Sequence, residues 1–266
     1  MPVKMNKKLN ESFLKQINDL KASRNGVDRC YINFILNMGR HVSFTENMLK
    51  EDMSLYDEQI VIEHSIIAMV SCWETFFRDV FIYIINEDKN SRESLFNQLD
   101  EERKEVLNNL GIIEDYFSKL YNFQNIEHIK TAFNALLDIE LFNEIGSYFI
   151  PYLKDGIIYK FSMDASLNDW FQAIVIVFNE RHKIIHDANY RTNLNRSIIK
   201  ACENVFLCFP QIFCHWIANK YSNNLDIMIL SLLDGTICKK NSMDNSQSIP
   251  ALLTRDWVIG KWYIID

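Results

Sequence analysis

The sequence predicts an all-α fold, a helical bundle with inserted helices and a short β-like C-terminal tail. Only seven glycines and four prolines occur in 266 residues. That is too few for the special turns of an all-β protein or the glycine-rich loop of a doubly wound nucleotide fold. From about Asp57 to Glu87 apolar residues return at helical spacing with no glycine or proline between them. A hydrophobic content of 48%, with 13% aromatic, is enough to fill one large core or two small ones.

Leu9, Phe13, Ile17 and Leu20 mark a charged amphipathic helix, and Asn25-Gly26 a turn before the apolar piece from Tyr31 to Leu36. The next helix carries Ile60, His64, Ile67, Cys72, Phe76, Val80 and Tyr83 on its apolar repeat, with Glu63, Glu74, Arg78 and Asp79 between them. It is expected to be a core helix. From Ser91 to about Lys154 shorter helical pieces, parted at Gly111, at Asn122 to Asn125 and at Gly146 to Pro151, read as helices that cap or decorate a bundle. "DASLNDW" offers Asp164 or Ser166 to cap a helix running through Trp170, Ala173, Ile174, Val177, Phe178 and Arg181 to about His186. Another helix spans Asn193 to Tyr221, bent at Pro210. A short apolar helix after Asn223 ends at Gly235, Lys239 to Ser248 reads as a connector, and "WVIGKWYIID" is the β-like run. The expected organisation is a helical domain over residues 1–238, with an insertion at about 91–160, then a connector and tail over 239–266.

A net charge of -7 argues against general affinity for nucleic-acid backbones, which depends on clustered Lys and Arg. Six cysteines, at 30, 72, 202, 208, 214 and 238, lie mostly within apolar helical pattern, and no secretory leader pattern precedes them. They read as reduced thiols in a cytoplasmic protein. Cys202, Cys208 and Cys214 recur every six residues, so a helix cannot bring them to one face, and they are expected in the core. The longest uncharged stretch, Asn204 to Asn219, falls short of the roughly 18 to 20 apolar residues that span a bilayer, so no membrane segment is expected. No phosphate-cradling glycine loop, nucleophile elbow or paired-carboxylate site occurs, which disfavours kinases, hydrolases and NTPases as classes.

"FNERHKIIHDANY", residues 178–190, concentrates Arg181, His182 and His186 at the end of an apolar run in a chain with six histidines. Two readings compete. Cations commonly end a helix because they oppose its macrodipole. They also suit RNA cleavage without a metal, which needs a group to take the 2′-hydroxyl proton, a group to protonate the departing 5′-oxygen, and cationic donors for the phosphoryl oxygens. Histidine as a residue type exchanges protons near neutrality, and arginine offers two parallel N–H donors to phosphate. Between 181 and 200 Arg181, Lys183, Arg191, Arg196 and Lys200 face only Asp187, a net +4 inside an acidic chain. Asn189, Tyr190, Asn193 and Asn195 add donors and one ring for stacking. The competing reading is a solvated helix–loop–helix surface. Positions 181 and 186 lie about 140° apart on an ideal helix, whereas His182 and His186 share a face. Convergence of the arginine and His186 therefore needs a loosened helix end or a second subunit.

"ERHKIIHD" closing an apolar helix, "MVSCWETFFRDVF" on an earlier long helix and an all-helical layout together resemble the HEPN superfamily. Its R-x4-6-H motif usually has Asn, Asp or His directly after the arginine. The resemblance covers roughly residues 55–220, with the middle helices as an insertion. It implies an up-and-down bundle whose dimer sets two motifs face to face. Many members are metal-independent endoribonucleases of toxin–antitoxin and antiphage systems; others are non-catalytic. By this resemblance His186 is expected to move the proton, Arg181 to stabilise the phosphate and His182 to assist. Lys183, Asn189, Tyr190, Arg191 and Arg196 are expected to bind substrate. Glu74 is a candidate to orient a histidine, against the plainer reading that it pairs with Arg78 one turn on. RNA is the expected substrate, and a homodimer and an antitoxin or defence-system protein the expected partners. No metal or other cofactor is expected: His182 and His186 have helical ligand spacing, but no further ligand motif accompanies them. The alternative function is a non-catalytic module that binds RNA, nucleotide or a protein. His64 and His215 read as satisfied core histidines, and His41 and His128 carry no signal.

Overall fold

The computed structural model describes residues 26–97, 121–154 and 157–221, isolated positions between 98 and 120, and two short strands beyond them. The helix expected around Leu9 to Leu20, the connector and the tail lie outside the described residues. In chain order come α1 (Val27–Lys50), α2 (Leu55–Glu87), α3 (Lys89–Asn97), α4 (Ile126–Leu137) and α5 (Leu141–Ser147). The strands β1 (Ile150–Lys154) and β2 (Ile157–Phe161) follow, then α6 (Met163–Ser166), α7 (Trp170–His186), α8 (Arg196–Lys220), β3 (Ile229–Leu230) and β4 (Ile237–Cys238). The all-α class is as expected.

The bundle is α1, α2, α7 and α8, with α2 and α8 in contact across its middle. A four-residue link turns α1 back as α2, which makes the two antiparallel neighbours. Ser54 starts α2: its hydroxyl accepts the Asp57 N–H at 3.1 Å, and Asp57 and Glu58 set negative charge at the positive end of the helix dipole. Cys72, Phe76, Val80 and Tyr83 are buried as expected, but Ile60 is 44% exposed and His64 is also exposed. His64 is thus not a core histidine. The first turns of α2 extend past the covered part of the bundle, and its ring lies against Phe44 and His41 at the surface, with centroids 5.6 and 6.0 Å away.

One proline organises the seam between α2 and α8. Pro210 sits inside α8 and has no N–H, so the carbonyl of Phe206 four residues earlier loses its helical donor. The indole N–H of Trp73 on α2 supplies the missing bond at 2.9 Å, in a buried setting. The Trp73 ring also packs on Phe206 with centroids 4.3 Å apart. Around this joint Phe77, Phe209 and Phe213 are fully buried, and Phe133 of α4 enters the same cluster, 5.5 Å from Phe77 and 5.2 Å from Phe213. The middle segment therefore contributes to the core and does more than decorate it. By length and composition alone α2 and α8 are each apolar enough to cross a bilayer, which the sequence reading does not anticipate. Their apolar windows are 61% and 72% buried, as core helices of a bundle require.

Three local expectations are corrected. β1 and β2 form an antiparallel hairpin, Ile150 opposite Phe161 through Lys154 opposite Ile157, where short helices and a break are expected. Asp155-Gly156, between two apolar runs, is the hairpin signal that this reading passes over. Likewise β3 pairs with β4, Leu230 opposite Ile237, within and just after the stretch expected as a helix ending at Gly235. Neither Asp164 nor Ser166 caps α7: Ser162 caps the short α6, and α7 begins after Asp169 in the left-handed region at φ 53°. Asp164 instead accepts the Trp170 indole N–H at 2.8 Å. Gly146 of α5 permits this arrangement, since a Cβ there would lie 2.6 Å from the Trp170 ring.

Trp73→Phe should cost about 1–3 kcal/mol in urea unfolding, because it leaves the buried Phe206 carbonyl unsatisfied. In that background Pro210→Ala should recover part of the loss by restoring a helical N–H, a coupling that a double-mutant cycle measures. Additive effects would show that the two sites do not share this bond.

Candidate functional site

Ile174, Val177 and Phe178 bury one face of α7 against the bundle, and Phe178 lies between Trp73 and Phe206. The last turn then becomes polar. His182 and His186 are exposed, one helical turn apart, with ring centroids separated by 4.5 Å. That juxtaposition follows directly from their spacing.

Arg181 points elsewhere. It is half-buried, and its Nη2 donates to the side-chain carbonyl of Gln124 at 2.6 Å. The Gln124 amide nitrogen in turn donates to Glu74 Oε2 at 2.5 Å, and Arg78 pairs with the other oxygen of Glu74. Glu74 thus makes the plain pair with Arg78 and also reaches the motif, but through an amide and toward the arginine, where a histidine is expected. The Nε of Arg181 is buried without a hydrogen-bond partner. No hydrogen bond joins the guanidinium to either histidine, in keeping with the angular separation on the helix.

Glu180, one residue before the motif, is the centre of a second network. It is only 8% exposed. Its carboxylate accepts from Lys183 Nζ at 2.9 Å, from the Tyr190 hydroxyl at 2.9 and 2.7 Å, and from Thr192 Oγ1 at 2.7 Å. Thr192 is fully buried, and its N–H donates to Glu63 of α2 at 3.1 Å. The connection between α7 and α8 is therefore tied down at its middle. At its start Asp187 accepts the Asn189 N–H at 2.9 Å, while the Asn189 side chain is left at an exposed position. Burial works to raise Glu180, but the hydrogen bonds from Lys183, Tyr190 and Thr192 and the Lys183 charge outweigh it and hold the carboxyl below the usual glutamate range.

The expected substrate-binding residues are placed unevenly. Tyr190, expected as a stacking ring, donates its hydroxyl to Glu180 and has the Lys183 ammonium 5.3 Å from its ring centre. Arg191 donates to the carbonyls of Ala188 and Tyr190 and lies 6.0 Å from the exposed Tyr56 ring. Arg196 donates to the Leu49 carbonyl at 2.5 Å and pairs with Glu58 at 2.9 Å. The net +4 of residues 181–200 is accordingly offset by carboxylates from outside the segment. Glu180, just outside that window, pairs with Lys183, and Glu58 and Glu46 from other helices pair with Arg196 and Lys200. A count along the chain misses partners brought in from across the bundle.

Glu180, Glu63, Thr192 and Gln124 are all absent from the sequence-based site. Glu180 has a weak local signal, an acid three residues before Lys183 on an apolar helix. Gln124 has none. Among the other histidines His128 fastens the loop before α4, its Nδ1 accepting the Asn122 N–H at 3.2 Å. His215 is half-buried, but its Nε2 has no partner and burial lowers its pKa, so it is not the satisfied core histidine expected. Cys72 and Cys208 are buried thiols pushed up to about 12 by desolvation, and Cys202 to about 11, so none carries an activated thiolate. Among the described residues no cluster of three or more His, Cys, Asp or Glu side chains could hold a metal ion. Comparison with protein-family models, with characterised proteins and with solved structures finds no match.

Folding lowers the Glu180 pKa, so its stabilisation is complete above the range of an ordinary glutamate, about pH 4.3. It is lost as pH falls through the depressed folded value. Glu180→Ala should cost roughly 3 kcal/mol at neutral pH. Glu180→Gln should flatten the stability profile in urea unfolding below about pH 5, where the wild type loses this contribution. An unchanged acid limb would show that another carboxylate governs it.

Proposed function

We propose that the protein is a metal-independent endoribonuclease of the HEPN kind. It acts as a homodimer in the cytoplasm, in a toxin–antitoxin or antiphage role restrained by a partner protein. The observation that carries this reading is the pair of exposed imidazoles, His182 and His186, with ring centroids 4.5 Å apart, on the last turns of the helix that also carries Arg181. Arg181 is held by one hydrogen bond to a neutral amide, and its Nε has no partner. Its charge is not consumed in an ion pair with a carboxylate, which leaves it to act on a phosphate.

In this mechanism the 2′-hydroxyl of RNA attacks the adjacent phosphorus. The proton leaves to an imidazole, the bond to the 5′-oxygen breaks, and that oxygen takes a proton from a second imidazole, leaving a 2′,3′-cyclic phosphate. His186 moves a proton, His182 assists, and Arg181 neutralises charge growing on the phosphoryl oxygens. Attack and departure lie on opposite sides of phosphorus. Two imidazoles on one helix serve one side, and a second copy of the motif across a two-fold axis supplies the other.

The ion pairs of Lys183, Arg196 and Lys200 favour a second reading, because they leave less cationic surface for an extended RNA. On that reading the chain is a non-catalytic module that binds a nucleotide, a short RNA or a protein partner.

Arg181→Ala and His186→Ala should each lower cleavage of total RNA at least about 100-fold while leaving helical circular dichroism unchanged. Cleavage should persist in EDTA and leave 2′,3′-cyclic ends. Activity that survives both substitutions removes the nuclease reading, and RNA binding without cutting selects the module. Light scattering should give twice the 31.5 kDa chain mass, and a monomer at micromolar concentration would contradict the two-copy mechanism.

A further inference from the structure

We infer that Gln124 is a positioning residue, whose side-chain amide holds the Arg181 guanidinium in one orientation while keeping it apart from the charge of Glu74. Its consequence for catalysis rests on the nuclease reading above; the orientation itself does not. An amide presents a donor on one arm and an acceptor on the other. Gln124 uses both, giving its N–H to Glu74 Oε2 at 2.5 Å and taking the Arg181 Nη2–H on its carbonyl at 2.6 Å. A carboxylate at position 124 would repel Glu74 and neutralise Arg181. An ammonium would pair with Glu74 and repel Arg181. With the amide between them Glu74 is balanced by Arg78, and the Arg181 charge is not consumed in an ion pair.

The loop that carries Gln124 is built to hold it still. Phe123 beside it is buried against Phe81 and Phe133, with ring centroids 5.6 and 6.3 Å away. The Gln124 N–H donates to Asn122 Oδ1 at 3.1 Å, and the Asn122 N–H to His128 Nδ1 at 3.2 Å. Asn125 caps α4 by accepting from the Glu127 and His128 N–H groups. The rigid segment thus comes from the inserted middle of the chain, and the residue it grips belongs to the motif on α7. An arginine that waits unrestrained would lose side-chain freedom each time it met a phosphate, and this contact removes that loss beforehand.

Two readouts on the full-length protein test the inference. In the wild type the Arg181 Nε–H should give a distinct, sharp nitrogen–proton NMR signal, assigned by its absence in Arg181→Ala. Gln124→Met keeps the length of the side chain without its hydrogen bonds, and it should broaden or erase that signal, as should Gln124→Ala. An unchanged signal in both variants overturns the positioning role. In RNA cleavage Gln124→Met should lower kcat roughly 10- to 100-fold with KM moved less than about threefold, the pattern of a misaligned transition-state donor. Wild-type kcat in the variant overturns the catalytic consequence. If the wild type itself leaves RNA uncut, the nuclease reading fails together with that consequence, and the NMR signal alone decides whether Gln124 holds Arg181.

Discussion

The hydrogen bond from the Trp73 indole to the Phe206 carbonyl exists because Pro210 takes away the donor that α8 would otherwise provide. It is a polar joint at the centre of an aromatic seam. Packing between aliphatic side chains tolerates a slide or a small rotation, but a directional bond inside a buried interface does not. It fixes both the height and the rotation of α2 against α8. Glu74 is the next residue along α2, so the same joint sets the direction in which its carboxylate leaves the helix, toward the loop of Gln124. The position of the polar groups near Arg181 is in this sense inherited from the core.

The two networks at the end of α7 use charge in opposite ways. Glu180 gathers a lysine, a tyrosine and a threonine, and its charge is spent within the fold. Arg181, one residue later and turned about 100° around the helix, meets a neutral amide and stays uncompensated at short range. A helix end that merely opposed its own dipole would not need this division. It is the contrast between adjacent residues, more than the number of cations nearby, that singles out Arg181.

Much of the fold is legible in the sequence because helical periodicity is a local property. The bounds of α2, α7 and α8 follow within a few residues from the apolar repeat and from the polar residues that flank it. The hairpin of β1 and β2 is harder, since five-residue apolar runs fit strand or helix equally well, and only the Asp155-Gly156 step distinguishes them. His64 shows another limit: periodicity identifies a face of a helix but not how far along its length that face is covered. At the candidate site the adjacency of His182 and His186 is readable from spacing alone. The contacts of Arg181, Arg196, Lys200 and Thr192 are not, because Gln124, Glu58, Glu46 and Glu63 lie 57 to 154 positions away along the chain and arrive only when the bundle closes.

Thr192 is anchored to two carboxylates on two helices, in the middle of the short stretch that joins α7 to α8. A connection held this way cannot follow a ligand inward as a closing flap does. A ligand arriving beside the histidines would meet a neighbouring connection whose shape is already settled, so complementarity would have to exist at first encounter.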